Sequence, residues 1–357
     1  MASQPVMGIT DVREAIAWQA NHADKADAPM TGRVVRAELA ILDTPTELAR
    51  RMNGWPGLSL EDAMPLRIAG GLHWLHLSGA EVRLAPVYAG EVSDQAAVDE
   101  IVAAVAVAWD ARLAPWLDHP PQTNEAGRSS SIMAGLLWLS QRLGPRFEMN
   151  EIGASAGVNT MIERYRYDLG GVEVGPADSP MVLKPEWRGP PPPAGAIEIV
   201  AIRGCDVSPV DLSDPAEALR LKAYVWAEAT ERMDRIEAAT RLAADKPPQL
   251  ERKDAGAFVE ERLETAQAAG VTRVLYHSVM WQYLPETTRH SITVAMGQAG
   301  AHASAERPLA WVRLESNRET FRHELSVRYW PGGEAPVILS EAHPHGAWIA
   351  WRGTAEG

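Results

Sequence analysis

The run Glu151-Ile152-Gly153-Ala154-Ser155-Ala156-Gly157-Val158-Asn159 carries the densest chemical information in the chain. It closes a short apolar stretch, residues 147–152, that reads as a strand, and it opens a stretch with helical spacing to about Tyr165. A strand, a glycine-rich turn and a helix start suit a nucleotide. Gly153 permits a sharp turn, Gly157 lets the helix pack close to the strand, and the helix N-terminus offers unpaired N–H groups. Glu151, Gly153, Ala154, Ser155, Gly157 and Asn159 are therefore candidate cofactor-binding residues. Gly153 to Gly157 also spell Gly-x-Ser-x-Gly, the elbow on which a hydrolase presents a nucleophilic serine. In that alternative Ser155 attacks, and Asp206 or Asp254 with His343 or His345 completes the order serine, acid, histidine. Glu151 argues against it, because a carboxylate there would repel a developing oxyanion.

Other polar groups fall at the ends of later strands. Asp206 closes a strand over 197–202, Asp254 and Ala255 follow a brief strand at 248–251, and His277 closes a strand over 272–277. Ligands of open α/β sheets bind at strand carboxyl ends, and an acid after the second strand suits ribose hydroxyls. Asp206, Asp254 and Ala255 thus join the cofactor set, although each acid alone reads equally well as a helix cap. His277 is a candidate catalytic residue, with Trp281 and Gln282 as substrate-binding residues and Trp281 or Tyr283 as an acceptor wall; the plainer reading is a histidine satisfied within an aromatic core. The polar cluster 122–128 supplies Asn124 and Arg128 for the substrate and Glu125 as a general base. Glu341, His343 and His345 are spaced by two, but Pro344 and Gly346 favour a structural turn, and no metal is expected.

These residues need elements to position them. Residues 1–145 read mainly as helices, with a capping box at Thr44–Glu47, a serine cap at Ser129 or Ser130, and a short strand at 82–87. Residues 146–357 alternate strand and helix, including a long helix over 216–244 and a β-hairpin insertion near 167–188 around Gly170-Gly171. Alternation implies parallel strands with crossover helices, and Gly332-Gly333 implies a closing antiparallel hairpin. The expected fold is α/β: a Rossmann-like, mostly parallel sheet ending in an antiparallel hairpin, preceded by a helical cap domain that covers the site.

Composition narrows the function classes. With 46% hydrophobic and 23% charged residues, the chain affords a sizeable core. A net charge of −13 without a basic run disfavours nucleic acid, whose phosphates demand positive charge. The one cysteine, Cys205, excludes an internal disulfide and fits a reducing compartment. The apolar stretch 101–109 is too short to span a bilayer. A cytoplasmic protein acting on a small molecule is expected.

Residues 146–357 resemble a class I S-adenosylmethionine-dependent methyltransferase domain, on Glu151–Asn159 and the acids that follow. The resemblance implies S-adenosylmethionine as cofactor, Asp206 on its ribose and Asp254-Ala255 near its adenine. Two positions depart from that pattern: Ser155 stands where the loop has its middle glycine, and His277-Ser278 replaces the Asn/Asp-Pro-Pro-Tyr of many amino-group methyltransferases. Nearly the whole chain also resembles a bacterial family known only as a domain of unknown function. That likeness rests on 122–128, 151–159, 203–206, 277–285 and His343-Pro344-His345-Gly346. Besides the serine hydrolase, a methyltransferase fold that binds a ligand without chemistry is a further alternative.

Overall fold

The computed structural model describes residue 9 and residues 11–56 and 62–353. By its contacts the chain divides into two units, Met1–Thr123 with Asp214–Asp234, and Asn124–Ser213 with Arg235–Gly357.

The first unit is helical: α1 (Val12–Lys25), α2 (Pro29–Ile41), α3 (Glu47–Asn53), α4 (Met64–Leu77), α5 (Ala85–Tyr88), α6 (Gln95–Ala108) and α7 (Asp110–Leu113). Ile16, Val34, Ile41, Leu48, Ile68, Leu72, Val98 and Val102 share one buried core. The expected strand at 82–87 is instead a 3-10 turn, Val82–Leu84, running into α5. Pro86 sits in the first turn of α5, where a missing N–H costs nothing, and the Glu81 carboxylate caps the Arg83 amide. The cap of α3 is Thr46, not Thr44, and it accepts from the Ala49 amide.

The second unit starts with a 3-10 turn, Ala126–Arg128, and α8 (Ser129–Leu143). No serine side chain caps α8; Glu125 caps the turn before it by accepting from the Gly127 amide. α8 lies on the sheet, and a Cβ at Gly135 would sit 3.5 Å from Val312 and 3.6 Å from Leu325. The unit boundary therefore falls before α8, at 123/124, rather than at the expected 145/146.

The strands are β1 (Arg146–Ile152), β2 (Arg166–Leu169), β3 (Val172–Val174), β4 (Val182–Leu183), β5 (Glu186–Arg188), β6 (Glu198–Asp206), β7 (Leu250–Arg252), β8 (Thr272–Ser278), β9 (Leu309–Ser316), β10 (His323–Trp330), β11 (Gly333–Ala342) and β12 (Trp348–Trp351). Nine of them form one sheet, ordered β5-β12-β11-β10-β9-β8-β1-β6-β7. The run β9-β8-β1-β6-β7 is parallel throughout. Every residue of β8 is buried, as a central parallel strand with both faces covered requires.

The closing antiparallel part is larger than one hairpin: β9 to β12 form a four-stranded meander, and β5 adds in parallel to β12. The expected hairpin insertion is present as β2 and β3, joined at Gly170-Gly171, with β4 beside β2 in a small second sheet. α9 (Pro215–Ala223) and α10 (Thr230–Asp245) replace the single helix expected over 216–244, and the unit division falls within α10. α11 (Ala255–Glu264) and α12 (Glu286–Ala301) connect β7 to β8 and β8 to β9. Among the described residues, no helix is long and apolar enough to cross a membrane.

Candidate functional site

The chain lays β6 and β7 on one side of β1, then returns to lay β8 and β9 on the other. The crevice between β1 and β8, at their carboxyl ends, is thus the topological switch point where open α/β sheets receive ligands. Glu151 and Tyr276 are register partners across it.

Glu151 is 1% exposed. The Tyr276 hydroxyl lies 3.4 Å from its Oε2 and donates at 2.9 Å to the Asn159 carbonyl. Burial raises the Glu151 carboxyl well above the ordinary carboxylate range; Tyr276 and the Arg128 charge offset this in part, and the Asp206 charge adds to it.

The turn that follows is left-handed at Gly153 (φ +66°), Ser155 (φ +51°) and Gly157 (φ +70°). Its amides are largely used within the protein. Ala154 N donates to the Cys205 carbonyl, Ser155 N to Asp206 Oδ2, and Val158 N to Asn124 Oδ1. The expected helix is a seven-residue 3-10 stretch, Val158–Arg164, kinked at Met161. Side chains take the carbonyls an α-helix would need: the Tyr165 hydroxyl donates to Val158 O, Tyr167 to Ile162 O, and Thr160 to Gly157 O. A helix N-terminus open to a ligand is therefore absent at this turn. The two glycines are covered by protein. A Cβ on Gly153 would lie 2.7 Å from Met280 Cε, and one on Gly157 would lie 2.8 Å from Pro248 Cβ.

Asp206, half-buried, accepts from Ser155 N at 2.9 Å and from Ser208 N at 2.8 Å. Each oxygen so held keeps a second lone pair. Asp254 is a helix cap, with Oδ1 accepting from Gly256 N and Ala257 N, and Ala255 is buried behind it. The Asn159 side chain accepts from the Ser129 hydroxyl at 2.7 Å.

Asn124, Glu125 and Arg128 are all buried in the second unit. Arg128 donates through Nε to the Pro344 carbonyl at 2.8 Å and through a terminal nitrogen to the Ser278 carbonyl. It thereby ties the His343–Gly346 turn to the end of β8. Glu125 Oε1 also accepts from Arg235 Nε at 2.8 Å, an ion pair that makes it a brace. The Gly346 backbone packs directly on that of Gly127, and His343 and His345 meet edge to face. Among the described residues no group of three His, Cys, Asp or Glu could hold a metal ion.

His277 is fully buried, and both ring nitrogens are engaged. Trp311 Nε1 donates to Nε2 at 3.1 Å, so Nδ1 carries the proton and donates to Glu315 Oε1 at 2.6 Å. Trp281 stacks on the ring at 5.0 Å. As placed, His277 is the satisfied core histidine, and it offers no nitrogen to a substrate. Trp281 and Gln282 are half-buried.

Sequence reasoning passed over Tyr276 and Glu315, because their partners come from strand register. It also passed over strain. Val279 (φ +52°) and Phe321 (φ +56°) are non-glycine residues in left-handed backbone, beyond the carboxyl ends of β8 and β9. With Ser155 they put three strained positions at the ends of three adjacent strands, a clustering typical of functional sites.

A family model described as an uncharacterized protein conserved in bacteria (DUF2332) matches residues 13–351. The chain belongs to this family. The match runs through both units. No curated protein and no solved structure matches the chain.

Proposed function

We propose that this family member binds S-adenosylmethionine at the carboxyl ends of β1 and β6, in a Rossmann-like methyltransferase-type sheet, and acts on a small molecule. The observation that carries the reading is the order β9-β8-β1-β6-β7, with Glu151 and Asp206 at adjacent strand ends beside the switch point.

The residues fit the cofactor with one required movement. Asp206 is oriented by two amides and keeps lone pairs for a ribose diol. Glu151 is a buried carboxyl suited to a cationic or hydroxylated ligand. The space over Gly153 is filled by the Met280 side chain, which is unbranched and adaptable. When bound, the cofactor supplies an electrophilic methyl group. Arg128 holds the floor of the site by joining Ser278 to Pro344, and Trp281, stacked on His277, offers a flat wall to the acceptor. Glu125 and His277, expected as acid–base groups, have bracing contacts here, so the proposal gives them positioning roles. Asp254 and Ala255 support the adenine side as a helix start.

The serine hydrolase reading draws support from the left-handed Ser155. Against it, the Ser155 Oγ is buried without a hydrogen-bond partner, and no described strand precedes Arg146. Ligand binding without chemistry is the outcome if binding is found and transfer is not.

Calorimetry with S-adenosylhomocysteine tests the proposal. Binding by the unmutated protein is expected, weakened by about 1–3 kcal/mol in Glu151→Ala, the cost of leaving a buried hydrogen-bonding group of the ligand without its partner. Absence of heat and of thermal shift at millimolar ligand would end the cofactor reading.

A further inference from the structure

The end of β8 is held in a manner that core packing alone does not require. Val279 is β-branched and adopts φ +52°, a conformation such residues almost never take. Two hydrogen bonds impose it. Val279 N donates to the Leu314 carbonyl at 2.9 Å, and Met280 N donates to Glu315 Oε1 at 3.2 Å. That same Glu315 oxygen accepts from His277, whose other nitrogen is fixed by Trp311. One carboxylate at the end of β9 therefore fixes both a buried imidazole and a strained turn. The product of this arrangement is the position of Met280. Its side chain lies against the one face of Gly153 that lacks a Cβ, so a side chain added there would meet Met280 Cε at 2.7 Å, Cγ at 2.8 Å and Cβ at 2.9 Å.

We infer that Glu315 is a positioning residue that, through the strained Val279–Met280 turn, holds Met280 as a removable plug over the Gly153 turn, so that a ligand gains the turn only when Met280 leaves it. This inference rests on the proposed binding site for the identity of the ligand, but not for the plug itself. Relief of the left-handed Val279 would offset part of the cost of the movement. Glu315 acts on ligand access only by way of Met280, and this separates it from a residue that merely stabilises the sheet.

Hydrogen exchange of the intact chain, read on the peptide spanning Gly153–Gly157, tests the plug without a ligand. Met280→Ala and Glu315→Ala should each accelerate exchange in that turn about tenfold. In the double variant the second substitution should add nothing, because both act through one side chain. Glu315→Gln, which keeps an oxygen for the Met280 amide, should restore much of the protection. Met280→Leu, which keeps apolar bulk, covers the case in which the alanine variant fails to fold, and it should be protected like the wild type. Unchanged exchange in folded Met280→Ala, or full additivity with Glu315→Ala, overturns the inference. The ligand arm uses S-adenosylhomocysteine, for which Met280→Ala should bind several-fold tighter than wild type. If exchange responds as expected and neither protein binds, the plug stands and the cofactor reading falls. If both bind equally, the plug falls and the cofactor reading stands.

Discussion

Replacing Glu151 by glutamine isolates the charge state of the central carboxyl. In the unfolded chain this group titrates at about 4.3. In the folded chain, burial at 1% exposure raises it, with Tyr276 and Arg128 compensating only in part. Above the unfolded value, the unfolded chain has released this proton while the folded chain keeps it. The folded state then binds more protons, so its stability falls as pH rises, until the pH passes the folded value. The loss attributable to one such group is at most about 1.4 kcal/mol per pH unit. Glutamine has the same size, still accepts from Tyr276 and does not titrate. Urea unfolding of both proteins between about pH 5 and pH 7 should therefore find Glu151→Gln gaining on the wild type by about 1–2.5 kcal/mol. Glu38 and Glu163 are also raised by burial, but they are present in both proteins and cancel in the difference. A stability difference that does not vary with pH would refute the reasoning. It would mean that Glu151 is ionised in the folded chain, with Arg128 as its counter-ion.

Further outcomes follow from the contacts at three positions. Gly346→Ala places a Cβ 2.4 Å from the Gly127 carbonyl carbon at φ +76°, where backbone meets backbone. Urea unfolding should register a loss of about 2–4 kcal/mol, and a loss below 1 kcal/mol would deny the close approach. Ser155→Gly relieves a left-handed serine with an unpartnered buried hydroxyl, so stability should hold or rise by up to about 1 kcal/mol. A fluorophosphonate should not label Ser155, and labelling lost on Ser155→Ala would establish the hydrolase. In the helical unit, Glu38 is fully buried, and neither carboxylate oxygen has a hydrogen-bond partner of ordinary geometry, the Ala69 backbone being the polar group that faces it. Burial raises its pKa, with the Ala69 backbone lowering it only in part. Glu38→Met should stabilise the chain at about pH 8 by about 1–3 kcal/mol, and a net loss would indicate an ionised Glu38 held by a partner.

The sequence by itself determined the strands β1, β6 and β8 to β11, the turn at Gly153, and which residues fall at strand ends. Those features are local: apolar runs, glycine pairs and proline stops act within a few residues of themselves. Because successive crossover strands run the same way, the strand ends carrying Glu151, Asp206 and His277 had to converge on one edge of the sheet. Local pattern could not state who pairs with whom. His277 reads identically as a base or as a core histidine until register puts Trp311 and Glu315 on its two nitrogens. The stretch after Gly157 reads as an α-helix, yet Tyr165 and Tyr167 fold back onto its carbonyls and tighten it to 3-10. α8 reads as the last helix of a cap domain, but its contact with Val312 and Leu325 makes it a layer of the sheet, and β5 leaves the predicted hairpin to lie along β12. Each of these outcomes depends on a group 5 to more than 150 residues away. Only tertiary packing brings such groups within hydrogen-bonding or van der Waals range, and it is this packing that set Met280 on Gly153.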